Sequence, residues 1–219
     1  MSKELQFSGE RVVPNNTCHA LTMAEHLIRY SFATKYAKVG KILDAACGSG
    51  YGIRLMGMLG ANKTGMDVNP EAVDYSIYYN SEGHNNFYIV DFEKENLFNL
   101  LFGHINDVEI INKSKFDLIT SFETIEHLAD PNLFLQGISE VLKDNGKFIY
   151  SIPLCNPSDY HKVVYTFETA QELINKYFVH EEIFIQESLE LVNLQRVNGN
   201  MAGLNKRGVF IIGVCQKKK

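Results

Sequence analysis

Residues 42–52 read Ile-Leu-Asp-Ala-Ala-Cys-Gly-Ser-Gly-Tyr-Gly. Ile42 and Leu43 end a buried strand and Asp44 stands at its tip. Gly48, Gly50 and Gly52 crowd a tight turn, and Ile53, Leu55, Met56 and Leu59 continue as an apolar helix. A strand, a glycine-rich turn and a helix in that order cradle a small ligand. Glycine lets the backbone come close, and the helix N-terminus presents free N–H groups. The acid at the strand tip adds an acceptor for a donor-bearing ligand. A dinucleotide fingerprint would need its third glycine where Ile53 stands, and Asp44 would repel a pyrophosphate.

The 219 residues are enough for one domain with a full core, an arm and helix over 1–40 leading into a core over 41–219. Hydrophobic content of 45% and charged content of 21% are those of a soluble globular chain. A net charge of −5 argues against an extended nucleic-acid footprint, and Lys217-Lys218-Lys219 reads as a solvated tail. Cys18, Cys47, Cys155 and Cys215 show no C-x-x-C spacing and read as reduced thiols of a cytoplasmic protein. The N-terminus lacks a signal-peptide pattern, and the apolar runs are too short to span a bilayer.

Along the chain, 1–16 has no period, and its Glu10-Arg11 pair suggests an arm that closes over a site. A helix is expected over 18–37 with Thr17 as cap; its His26 either packs structurally or touches a ligand. The next strand, 63–66, ends at Asp67, where doubly wound folds place an acid for ribose hydroxyls. Pro70 starts the following helix, 70–82, and leaves Asn69 as its cap. Strand three, 87–90, runs into Asp91 and Phe92. A short helix is expected within 96–105, then a polar connection to 115. Strand four, 116–122, leads into Glu123-Thr-Ile-Glu126-His127, and strand five covers 147–152. A loop over 153–165 carries Asn156 and His161. Thr166 can cap a helix over 167–177, and two final strands, 183–187 and 209–216, flank a loop over 188–207 that holds Asn198-Gly199-Asn200.

The spacing D-x-x-x-G-x-G at 44–50, with Asp67, Asp91 and 116–128 in register, resembles class I S-adenosylmethionine (SAM) dependent methyltransferases. The resemblance implies an α/β Rossmann-like fold: a seven-stranded, mostly parallel sheet with an antiparallel last strand and helices on both faces. It implies SAM as cofactor, held by Asp44, Cys47, Gly48, Gly50, Tyr51, Asp67, Val68, Asp91, Phe92 and Glu123. Gly9-Glu10-Arg11-Val12-Val13-Pro14 and His26-Leu27-Ile28-Arg29-Tyr30 look like bacterial methyltransferases found with surface-polysaccharide biosynthesis. The implied acceptor is a sugar hydroxyl or small phosphorylated precursor of a capsule or O-chain, against Arg11, His26, Tyr30 and His161.

Methyl transfer to a hydroxyl needs in-line positioning and removal of a proton. His127 at the strand-four tip is the expected base, oriented by Glu126. Glu123, Glu126, His127 and His161 also resemble the metal set of small-RNA 3′-terminal methyltransferases and of some quinone-pathway O-methyltransferases, and suit Mg²⁺ or Mn²⁺. A quinone precursor or an RNA terminus is thus the alternative acceptor, and a non-catalytic SAM-binding partner subunit is the alternative outside enzymes. Ser121-Phe122-Glu123-Thr124 stands where amide- and base-N-methylating enzymes carry Asn-Pro-Pro-Tyr/Phe. The exposed final strands could support a homodimer.

Overall fold

The apolar runs at 42–45, 116–122 and 148–154 are buried on both faces, which is how a central strand covered by helices on either side reads. The computed structural model describes residues 4–5, 11–14, 20–37, 40–56, 61–83, 85–194 and 203–218. The expectations for Gly9, Glu10, Thr17, Cys18, Leu59, 198–200 and Lys219 lie outside the described residues. The strands are β1 (Lys41–Ala45), β2 (Asn62–Asp67), β3 (Asn85–Ile89), β4 (Phe116–Phe122), β5 (Leu142–Leu154), β6 (Phe178–Glu187), β7 (Glu190–Asn193) and β8 (Val209–Lys217). They form one sheet in the order β3-β2-β1-β4-β5-β8-β6-β7. β1 to β5 pair in parallel; β8 runs antiparallel to both β5 and β6, and β7 antiparallel to β6.

The helices are α1 (Ala20–Ala33), α2 (Tyr51–Leu55), α3 (Pro70–Asn80), α4 (Leu97–Phe102), α5 (Val108–Ser114), α6 (Pro131–Val141) and α7 (Phe167–Ile174). Alternate residues of β5 feed opposite cores. Phe148, Tyr150 and Ile152 pack with Leu97, Phe134, Ile138, Phe167 and Leu173 of α4, α6 and α7. Ile149 packs with Tyr30, Phe32, Ile53 and Val73 of α1, α2 and α3 on the other face. Truncating one of these buried phenylalanines to alanine would cost about 3–5 kcal/mol. Asn69 caps α3, accepting from the Ala72 N–H at 2.9 Å ahead of Pro70. Thr166 and Thr169 cap α7 reciprocally.

Three expectations are corrected. The sheet has eight strands, because 188–207 is not all loop: Ser188, at φ 53°, turns the chain tightly and Glu190–Asn193 folds back on β6. The stretch after α4 holds a second helix, α5, marked only by Asp107, which accepts from the Glu109 and Ile110 N–H groups. None of its residues is buried, so no apolar period announces it. Lys217 is not tail but the end of β8, 2.6 Å from Asp144. Among the described residues no helix is long and apolar enough to cross a membrane.

Candidate active site

The strand order reverses between β1 and β4, and the crevice at their carboxyl ends is where such sheets bind ligands. The glycine turn builds its floor. Cys47 N–H donates to Met66 O at 2.9 Å, and Gly50 N–H to Cys47 O at 3.0 Å. Gly50 sits at φ 76°, and a Cβ there would lie 2.5 Å from Ser76 Oγ. At Gly52 a Cβ would lie 2.1 Å from the Tyr30 ring, so α1 packs directly on the start of α2.

Asp44 and Gly50 do not reach the crevice. Asp44 is fully buried beneath the turn, accepting from Thr120 Oγ1 at 2.7 Å and from the Tyr30 hydroxyl at 2.9 Å. Burial pushes its pKa up to about 7, against the two hydrogen bonds. It is a ligand of the protein's own side chains, so the expected cofactor contact is corrected. Tyr30 lines the crevice with its ring only, because its hydroxyl is taken by Asp44.

The crevice is a cavity of about 710 Å³. Cys47, Gly48, Tyr51, Asp67, Val68, Asp91 and Phe92 form one end of its wall. Asp67 joins two strand tips: one oxygen accepts from Gly48 N–H at 2.8 Å, the other from Asn69 N–H at 2.9 Å. Asp91 turns partly to solvent, and a hydrogen bond from Lys94 at 2.7 Å leads the lowering of its pKa. The arm residues 11–13 lie against the turn: Val12 O accepts from Ser49 Oγ at 2.8 Å, and Arg11 lines the cavity beside Gly48. His26 also lines it, with Nδ1 3.0 Å from the Tyr51 hydroxyl. Burial, then the Arg29 charge, push its pKa down to about 3, so the ring is neutral at physiological pH.

The other end brings together Glu126, His127 and His161, whose ligand atoms lie within 4.8 Å of one another. Glu126 and His127 come from a single 3-10 turn after β4, Ile125–His127. The loop after β5 is tied to that turn: the Lys162 and Val163 N–H groups donate to Glu126 O at 2.8 and 3.1 Å. His127 Nδ1 lies 3.1 Å from Tyr160 O, and His161 Nδ1 lies 2.6 Å from Asn156 O. A carbonyl only accepts, so both rings carry their proton on Nδ1, and the lone pair of each neutral ring is on Nε2. That is the second-sphere arrangement of metal-binding histidines, and the N, N, O donor set fits a divalent cation.

Glu123 is not part of this group. Its φ of 52° turns it back toward the sheet, where its Oε1 accepts from Ser151 Oγ at 2.6 Å and lies 3.6 Å from Arg29 Nη1. Of the four residues expected as a metal set, three, Glu126, His127 and His161, lie close enough to share a ligand, and Glu123 does not.

Arg29 was not legible as a functional residue. It is 1% exposed and lines the cavity. Its Nε donates to Gln186 Oε1 at 2.7 Å and its guanidinium stacks 4.2 Å from the Phe210 ring centroid. Nη1 makes no hydrogen bond among the described residues, since 3.6 Å to Glu123 is too long for one. A buried guanidinium held at one end and open at the other is built to receive an anion. The available signal was an arginine beside Ile28 and Tyr30, within the apolar run of α1 rather than on its wet face.

Residues 43–148 match the family model described as "Methyltransferase domain". The chain is 26% identical over 173 residues to a ubiquinone biosynthesis O-methyltransferase of Xanthomonas axonopodis pv. citri, covering 79% of this chain and 67% of the relative. It is 28% identical over 153 residues to the protein of the same name from Actinobacillus pleuropneumoniae, covering 70% of this chain and 62% of that relative. In fold it is similar to N-methyltransferase NodS from Bradyrhizobium japonicum, solved with S-adenosyl-L-homocysteine (SAH). There the TM-score is 0.59 at 15% identity, over 90% of this chain and 87% of that one. The strand order and the glycine turn agree with the matched segment, and the fold is that of SAM-dependent methyltransferases.

Proposed function

We propose that the chain moves the SAM methyl group to a hydroxyl of a small acceptor, beside a divalent cation held by Glu126, His127 and His161. The observation that carries this reading is the shared tautomer of the two histidines, both donating Nδ1–H to backbone carbonyls next to a buried glutamate. A cation bound there would lower the pKa of an acceptor hydroxyl. Two imidazole nitrogens and one carboxylate suit Mn²⁺ better than Mg²⁺, which prefers oxygen donors. His127 Nε2 also lies 3.8 Å from Glu126 Oε1, close enough for the carboxylate to stabilise an imidazolium. In a metal-free reaction this nitrogen would take the hydroxyl proton.

The cofactor end is read from charge. Asp67 accepts from the ribose hydroxyls, Asp91 from the adenine amino group, and Val68 and Phe92 flank the ring. The amino-acid part of SAM is a zwitterion; Glu123 and Arg29 offer it a carboxylate for its ammonium and a guanidinium for its carboxylate. The relatives' name points to a hydroxylated ring of a quinone precursor, and Phe122, Leu128, Tyr160 and Phe210 supply apolar lining for one. A sugar derivative of surface polysaccharide is the second reading, favoured by the arm motif and by Arg11 on the cavity wall.

The test supplies methyl-labelled SAM to the protein with fractionated extract of the producing cell, before and after exhaustive chelation and Mn²⁺ readdition. Label should enter the small-molecule fraction, stop on chelation and return with Mn²⁺. His127→Ala should abolish transfer while SAH affinity, read by calorimetry, stays within about twofold. Transfer that survives chelation removes the cation, and label found only in RNA, polymer or protein removes the small acceptor.

A further inference from the structure

Glu93 belongs to none of the motifs read from the sequence, yet it joins three segments of the site. It follows Asp91 and Phe92 on the cofactor wall and itself lines the cavity. Its Oε1 accepts from the Ala129 N–H at 2.6 Å, two residues past His127. The same carboxylate accepts from Lys162 Nζ, at 2.8 Å to Oε2 and 3.1 Å to Oε1, one residue past His161. Lys162 is held at its other end too, through its N–H on Glu126 O. The Lys162 and Ala129 bonds keep the Glu93 carboxyl below the usual range, so it is ionised at neutral pH.

We propose that Glu93 is a positioning residue that registers the His161 loop against the Glu126–His127 turn. The loop needs such a fastening. Among the described residues, the loop between β5 and α7 is tied to the rest of the site by the two backbone bonds onto Glu126 O and by His127 Nδ1–H on Tyr160 O, all on one turn, while Cys155 N–H to Tyr165 O, at 2.8 Å, only closes the loop's own base. A ligand group must be held to about half an ångström to be useful, and bonds that all meet the single Glu126–His127 turn leave the loop free to pivot about it. Glu93 adds a second point of attachment, on a different strand tip. It reaches neither His161 nor His127 and acts through their neighbours.

This inference rests on the cation site of the proposed function, so its test carries a readout that does not. Wild-type protein, Glu93→Gln and Lys162→Met are compared by Mn²⁺ titration followed by electron paramagnetic resonance, by SAH calorimetry, and by amide hydrogen exchange over 156–165. Both variants should weaken Mn²⁺ binding about tenfold, the usual order for a residue behind a metal ligand. Both should speed exchange at 162 and 163 and leave SAH affinity within about twofold, and Glu93→Asp should recover part of the loss. Unchanged exchange overturns the role, as does SAH affinity that falls as far as Mn²⁺ affinity. Should wild-type protein bind no Mn²⁺, the cation reading fails by itself, and the exchange at 162 and 163 alone decides for or against Glu93.

Discussion

Asp44→Asn has an effect whose size and sign follow from the structure. The side chain is 0% exposed and both its oxygens are bonded, to Thr120 and Tyr30. Burial still dominates and raises its pKa to about 7, with Asp67 adding to the rise. In the unfolded chain an aspartate titrates near ~3.9. Between those values the folded chain keeps a proton that the unfolded chain has lost, so this group makes stability fall as pH rises. The slope is about 1.4 kcal/mol per pH unit and the whole window is worth about 4 kcal/mol, fully lost above pH ~7. Asparagine has the same shape and no proton to lose. Urea unfolding of both proteins from pH 5 to 8 gives the assay. The stability of wild type relative to the variant should drop by about 2 kcal/mol from pH 5 to 7 and level off above that. Taking the difference cancels carboxylates such as Asp91 and Glu168, whose pKa values are lowered and whose contribution runs the opposite way. A difference that stays constant with pH would refute the reasoning, and would mean that Asp44 is ionised throughout or solvated in a way its burial denies.

Arg29→Met keeps most of the buried volume but removes the guanidinium, leaving Gln186 Oε1 and Glu123 without it. SAH affinity should fall by about 2–5 kcal/mol in calorimetry, the range for losing one partner of a buried charge pair; affinity equal to wild type would end its assignment to the cofactor carboxylate. Gly52→Ala puts a methyl group where the Tyr30 ring lies and should cost about 1–3 kcal/mol in urea unfolding as α1 is pushed off the turn. No loss there would show that the α1 contact is looser than its geometry.

What the sequence made legible was what neighbours in the chain decide. β4 is found at its own bounds because Phe116, Leu118, Ile119 and Phe122 form an apolar stretch between Lys115 and Glu123, and Asn69 and Thr166 are found because a cap needs only the next turn. Asp67 lies in the cavity wall, accepting from the Gly48 and Asn69 N–H groups. The misses among the site residues have a different cause: each side chain is held by a partner outside its own motif. Asp44 and Asp67 read alike from sequence, acids at adjacent strand tips. Thr120 and Tyr30, both outside the glycine motif, pull Asp44 under the turn and leave only Asp67 in the cavity. Glu123 and Glu126 read as a pair three apart, which a helix would set on one face. The left-handed backbone at Glu123 intervenes before the 3-10 turn begins and gives that carboxylate to Ser151 and Arg29. Arg29 in turn depends on Gln186, 157 residues away. The separation of Glu123 from Glu126, His127 and His161, on which the proposed cofactor and acceptor ends rest, therefore hangs on one backbone angle at the end of β4. Had Glu123 stayed on the helical side, Arg29 would lose the carboxylate 3.6 Å from its Nη1 and keep only the more distant charge of Glu25.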